Sequence, residues 1–289
     1  MKHAFLIIAH NKYKQLQKLI DLLDDERFDI YVHIDKKSIL PTLKSTKSKL
    51  YLLKNRIDVR WGDISQIECE LSLFESASKR ERYDYYHLIS GIDLPIKSND
   101  YIYNFFETNK GFEFINYVDE SNYIRKRVGR YVLGTRYQRP KNIKEKTIYY
   151  LTSHVQPILD KFYKRKFQNT EYKMGANWAS ITHEFCLFLL LNKQNILKTY
   201  SHTTCTDEIY KQTLCWNSKF KKNLYDSNYG YKGCVRLIDW KRGNPYTWGQ
   251  YLEDDKEIIT KSEALFVRKI DAYKYPGIVN FIEKEILNK

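Results

Sequence analysis

The sequence predicts an α/β protein with a mostly parallel central sheet flanked by helices. Three observations carry that expectation. Phe5 to Ala9 is a continuous apolar run bounded by polar residues, the pattern of a strand buried on both faces. Tyr13 to Leu23 then shows helical spacing at Leu16, Leu19, Ile20 and Leu23. Asp29 to Ile34 is a second strand-like run, closed by Asp35. Strand, helix and strand in that order make a βαβ unit. Open α/β sheets bind ligands at the carboxyl ends of their strands, which places His10 and Asp35 at such an end. No GxGxxG follows the first strand, so a dinucleotide fingerprint is absent.

The later elements follow in order. Leu50 to Leu53 reads as a third strand, and Val59 to Gly62 as a loop. Ser65 is placed to cap a helix through Leu71, Phe74 and Ala77. Tyr85 to Ile89 is a fourth strand, and Gly91 and Pro95 around Asp93 mark a tight turn at its end. Tyr101 to Glu107 reads as helix, Phe112 to Tyr117 as strand, and Ile148 to Lys164 as helix. Trp178 to Thr182 is a strand, followed by an apolar helix over Glu184 to Leu191. Val235 to Ile238 is a late strand, and Ile278 to Leu287 the last helix.

A chain of 289 residues holds one large domain or two small ones. Hydrophobic content of 43% with a mean hydropathy of −0.61 is that of a water-soluble globular protein. The 25 tyrosines suit sugar recognition, since a ring packs on a pyranose face while its hydroxyl bonds the edges. An AT-rich genome also raises Tyr, Lys, Asn and Ile, and accounts for much of the excess.

The net charge is +14, which points to nucleic acid, anionic lipid or a nucleotide-activated substrate. Lys and Arg are spread along the chain without a basic tail, which argues against a dedicated nucleic-acid binder. The five cysteines, without CxxC spacing, fit a reducing compartment and neither a zinc site nor a disulfide framework. The apolar run near the N-terminus is too short for a signal segment or a membrane span. A cytoplasmic protein, with possible contact at the inner face of an anionic membrane, is therefore expected.

Chemistry concentrates at Thr204 to Trp216, TCTDEIYKQTLCW. Thr206 is a natural N-cap, and Ile209, Leu214 and Cys215 give the following helix an apolar side. Asp207 and Glu208 then fall at the helix start. Two readings stand: both acids stabilise the helix dipole, or Glu208 is a general base reaching a hydroxyl.

Five segments, in order, resemble the core-2/I-branching β-1,6-N-acetylglucosaminyltransferase family, glycosyltransferase family 14, in its bacterial form. They are VHIDKKS around Asp35, RWGDIS around Trp61, HLISGIDLPIKS around Asp93, CTDEIYKQTL around Glu208 and SEALFVRKID around Lys269. Peptide O-xylosyltransferases share the pattern.

The resemblance implies a single GT-A-like domain over 1–289, with a nucleotide-sugar half in about 1–120 and an acceptor and catalytic half in about 121–289. It implies inverting transfer from a UDP-sugar, UDP-GlcNAc first, to a glycan or lipid-linked glycan in surface polysaccharide or lipooligosaccharide synthesis. UDP-xylose, UDP-glucose or UDP-galactose are the alternative donors. A basic nucleic-acid-binding protein is the reading from another class.

By the same resemblance Glu208 is the catalytic base. His10, Asp35, Trp61, Asp93, Arg268 and Lys269 lie on the donor side, with Lys269 facing the diphosphate. Trp240 is either an aromatic of the acceptor site or a core residue. Glu120, Arg127 and Arg130 lie where relatives carry acceptor contacts, or on a solvated basic helix. No Asp-x-Asp occurs in the chain, so no metal cofactor is expected and basic side chains must meet the leaving diphosphate. The arginine that relatives carry after the Trp240 segment is missing, which leaves Arg236 or Arg242 as substitutes.

Overall fold

A computed structural model describes residues 1–119, 121–163, 170–228, 230 and 232–288. In chain order the elements are β1 (His3–Ala9), α1 (Tyr13–Leu22), β2 (Phe28–Ile34), β3 (Leu50–Leu52), α2 (Ser65–Ser78), β4 (Tyr85–Ser90), β5 (Leu94–Pro95) and α3 (Asn99–Thr108). They continue with α4 (Ser121–Val128), α5 (Ile143–Phe162), β6 (Ala179–Thr182), α6 (His183–Leu191), α7 (Lys193–Tyr200) and α8 (Tyr210–Trp216). The last are β7 (Arg236–Ile238), α9 (Leu252–Lys261), β8 (Phe266–Arg268) and α10 (Pro276–Phe281).

The central sheet has the order β3-β2-β1-β4-β6. Its first four strands are parallel, and β6 closes the edge antiparallel to β4. This is the α/β layout with a mostly parallel sheet that the apolar runs predict. Alternation along β1 explains the two cores. Phe5, Ile7 and Ala9 pack on the face that carries α1, while Ala4 and Leu6 pack on the face that carries α2 and α6. Both faces are buried, so the strand reads as an unbroken apolar run.

A second, three-stranded sheet has the order β5-β8-β7. Its middle strand is β8, parallel to β7 and antiparallel to β5. The late chain is thereby stitched to the turn after β4. The SEALFVRKID segment is thus a strand that its short apolar stretch did not announce.

Several boundaries differ from expectation for identifiable reasons. Ser65 is the first residue of α2 and not its cap; its hydroxyl accepts from the Arg60 amide at 2.9 Å. Phe112 to Tyr117 forms isolated bridges through Glu113, Phe114 and Tyr117 to three different segments, not a strand of one sheet. The helix expected from Ile148 begins at Ile143. Asn142 caps it by accepting from the Glu145 amide at 2.9 Å, and Glu145 accepts from the Lys141 amide at 2.7 Å. Among the described residues no helix is long and apolar enough to cross a membrane.

Candidate active site

Glu208 ends a 3₁₀ turn, Thr206–Glu208, that directly precedes α8. The expected cap at Thr206 does not form: its hydroxyl is buried without a hydrogen-bond partner. Cys205 instead enters the turn with φ of 50°, and its amide donates to the Gly62 carbonyl at 2.9 Å. Gly62 itself has φ of 71°, and a Cβ there would lie 3.2 Å from the Cys205 sulfur. The Trp61-Gly62 loop and the acid turn therefore pack as one unit. On the other side the Gly175 amide donates to the Glu208 carbonyl at 2.9 Å. A Cβ on Gly175 would meet the Asn116 carbonyl oxygen at 2.0 Å, so only glycine fits that approach.

The two acids of the turn have different surroundings. Asp207 is buried and accepts from the Gln66 side chain at 3.1 Å. Burial, then the neighbouring carboxylates of Glu208 and Glu70, push its pKa up to about 7, with Lys211 opposing. Glu208 keeps a side chain 29% exposed and meets Arg127 at 3.2 Å. A partly open carboxylate at a fixed backbone position can take a proton from an incoming hydroxyl. Asp207 cannot reach one.

Beneath the turn, α8 carries a polar residue inward. Lys211 is fully buried and donates to Glu70 at 2.5 Å, to Asn177 at 2.5 Å and to the Asp207 carbonyl at 3.3 Å. Tyr210 donates to the same Glu70 oxygen at 2.7 Å. Periodicity did not reveal this network, because α8 is buried on most of its circumference: Tyr210, Lys211, Gln212, Thr213 and Cys215 are all buried, so polar side chains as well as apolar ones point inward.

The basic segment on α4 divides. Arg127 turns in, donating to Glu208 and to the Cys205 carbonyl, both at 3.2 Å, with its guanidinium 4.3 Å from the Tyr123 ring. It is therefore not the exposed member of a solvated helix. Arg130 pairs with Asp160 on α5 instead. Glu120 lies outside the described residues. Trp240 is 39% exposed, which excludes the core reading; Trp248 is the buried tryptophan.

At the strand ends, Asp35 is buried and accepts from the Lys37 amide at 2.8 Å and its ammonium at 2.9 Å. Arg56 holds the Asp35 and Ser38 carbonyls at 3.3 and 2.8 Å, fixing the loop. His10 is exposed beside it. Desolvation lowers its pKa, Asp35 opposes, and Lys141, Lys37 and Lys12 lower it further. Asp93 is buried with both oxygens engaged. It accepts from the Ser90 amide at 2.8 Å, the Ser90 hydroxyl at 2.9 Å and Arg268 at 2.7 Å. Asp93 and Arg268 thus hold each other, with Arg268 also 4.2 Å from the Trp178 ring.

Lys269, the next residue, stands in different company. It is half-buried and makes no ion pair or side-chain hydrogen bond among the described residues. Burial pushes its ammonium pKa down, and Arg268, Arg139 and Lys12 push it further. Arg139 lies 3.7 Å over the ring of the half-exposed Trp61 and also acts on Cys205 in the acid turn. This cation acts on both Lys269 and Cys205, and sequence reading did not single it out. Its separation from every partner along the chain left no local signal.

Arg236 and Arg242 do not fill the place of the missing arginine. Arg236 is buried and donates to the Ser180 hydroxyl and to the Cys234 and Ala179 carbonyls. Arg242 is held between Asp239 and Asp255.

The scaffold and the site define a class: an α/β protein with buried acids at its parallel strand ends and a partly exposed carboxylate, Glu208, on a fixed turn. The chain belongs to the Core-2/I-Branching enzyme family, whose sequence pattern matches residues 3–262. Lys269 lies just beyond that span. The chain is 23% identical to xylosyltransferase oxt of Drosophila pseudoobscura pseudoobscura over 302 residues, covering 96% of this chain and 32% of that protein. It is 23% identical to xylosyltransferase sqv-6 of Caenorhabditis briggsae over 222 residues, covering 73% of this chain and 25% of that protein. The chain therefore spans about a quarter to a third of the relatives it matches. Mouse xyloside xylosyltransferase 1 is a loose structural neighbour, with TM-score 0.37 and 9% identity over 92% of this chain and 96% of that one.

Proposed function

We propose that the protein is an inverting, metal-independent glycosyltransferase that moves a sugar from a UDP-sugar to a glycan hydroxyl. The observation that carries the reading is Glu208, a partly exposed carboxylate at a fixed turn, in a chain whose half-buried Lys269 makes no ion pair among the described residues. An ammonium drawn out of water without a carboxylate partner suits a diphosphate. The reading puts the nucleotide over the strand ends near His10 and Asp35, with Lys269 and Arg139 at the diphosphate and Trp61 at the cleft wall. Glu208 takes the proton of the acceptor hydroxyl. The freed oxygen attacks the anomeric carbon from the face opposite UDP, and the C–O bond to UDP breaks with its electron pair leaving on the diphosphate. An α-linked donor then gives a β-glycoside. Arg127, Arg130 and Trp240 remain the acceptor-side candidates.

Family membership favours GlcNAc as the sugar. The xylosyltransferase relatives favour xylose as the second reading. A glycan of a bacterial surface polysaccharide or lipooligosaccharide is the proposed acceptor.

A hydrolysis panel of UDP-GlcNAc, UDP-xylose, UDP-glucose and UDP-galactose in EDTA tests the proposal. UDP release from one donor, with Glu208→Gln impaired in transfer, is the expected result. Activity that disappears with chelator and returns with manganese would overturn the metal-free mechanism. Thermal protection by oligonucleotides and not by UDP would favour the nucleic-acid reading.

A further inference from the structure

Helix α5 is built inside out. Surface helices ordinarily turn an apolar stripe to the core and a polar one to water. Among the described residues of α5 the one buried side chain is Glu145. Beside the half-buried Ile148 and Leu159, the hydrogen bonds and ion pairs of polar side chains fix the helix to the body. Glu145 pairs with Arg60 at 3.0 Å, Asp160 pairs with Arg130, and Gln156 accepts from the Leu133 amide at 2.9 Å. The opposite side carries Ile143, Tyr150, Leu151, Val155, Ile158 and Phe162, all exposed, with Ile143 at 83% and Phe162 at 70%. At 100° per residue these six fall on one arc, facing away from Glu145, Gln156 and Asp160.

We propose that this face docks on an anionic lipid bilayer, the helix lying flat in the headgroup region. Charge selects that occupant. The two acids of α5, Glu145 and Asp160, are both paired with arginines of the body, so the helix turns no acid outward. Lys144 and Lys161 lie among these apolar residues and Lys146 at the edge of the arc, and none of the three makes an ion pair among the described residues. Apolar and aromatic side chains bordered by lysines are what an interfacial helix presents to anionic headgroups. A second copy of the chain fits poorly: pairing this face with itself would set lysine against lysine in a protein of net charge +14. The helix starts two residues after Lys141, which acts on His10, and Glu145 grips Arg60 next to Trp61. Docking would therefore hold His10 and Trp61 close to the bilayer.

Co-sedimentation with vesicles of phosphatidylcholine mixed with phosphatidylglycerol tests the proposal, with pure phosphatidylcholine as control. The wild type is expected to partition onto the mixed vesicles and not the neutral ones. The double variant Leu151→Asp/Ile158→Asp should lose partitioning by about tenfold or more, since two apolar anchors are removed. Lys144→Glu/Lys146→Glu should lose it as well. Both pairs are exposed, so thermal unfolding should match wild type; if the aspartate pair unfolds early, Phe162→Ser replaces it. Wild-type failure to bind mixed vesicles, or unchanged binding by the variants, overturns the proposal. So does light scattering that shows a dimer dissolved by Leu151→Asp/Ile158→Asp, which would assign the face to a second copy.

Discussion

Lys211 and Lys269 are both drawn out of water, and their neighbours are of opposite sign. Burial pushes each ammonium down. For Lys211 the carboxylates of Glu70, Asp207 and Glu208 then pull it back up, and three hydrogen bonds, two of them short, satisfy it. For Lys269 the next influences are Arg268, Arg139 and Lys12, which push it further down. A buried cation whose counter-charge is part of the chain is a structural element. Of the cations acting on Lys269, Arg268 and Lys12 are themselves paired with Asp93 and Asp271, while Lys269 makes no ion pair among the described residues and is open to an anion from outside.

Removing Lys211 should have the largest effect, and on stability. Lys211→Met leaves the Glu70 carboxylate buried without its cation, a loss of about 3–5 kcal/mol for a broken buried pair. Denaturant unfolding measures it, and an unchanged midpoint would erase the contrast between the lysines. Next comes Glu208→Gln, which should cut transfer by at least about a hundredfold, the size of a general-base effect, while UDP binding persists. Near-normal turnover would remove Glu208 from the chemistry.

Lys269→Ala should weaken UDP binding by about tenfold or more, as for a lost charge-assisted contact, with stability equal to or above wild type. Calorimetry with UDP reads the first and thermal unfolding the second. Arg268→Ala should weaken UDP binding less, because its guanidinium serves Asp93.

The smallest expected signal is a pH dependence. Asp207 has a folded pKa of about 7, above its unfolded value, so the folded state holds the extra proton between them. Stability should therefore fall as pH rises from about 4 to about 7, and Asp207→Asn should flatten that slope. Equal slopes in both proteins would show that Asp207 titrates normally.

Much of the architecture was legible because β1, β2 and β4 are buried on both faces, which leaves largely apolar runs broken only by residues such as Asp29, His33 and His87. The strand ends followed from those runs, whereas the acid pair stood out by its own segment and by the family resemblance. What stayed hidden was of two kinds. Some features are short: β8 has three residues, and the 3₁₀ turn at Glu208 took the place of a helix cap. Others join distant residues, such as Arg268 with Asp93, Arg139 with Trp61 and Arg127 with Glu208. Only side-chain placement reveals which basic residue meets an acid and which does not. The early start of α5 was readable after all: Asn142 followed by Glu145 is a capping box.

The position of β8 bears on how the protein comes into being at the ribosome. The strand is the middle one of its sheet, so β5 and β7 have no common partner until it arrives. The main parallel sheet draws four of its five strands from the first 90 residues and can begin to assemble as they emerge. Asp93, however, waits for Arg268, which lies 175 residues further along the chain. The turn after β4 therefore gains its ion pair only when β8 threads between β5 and β7, long after the main parallel sheet has its four parallel strands.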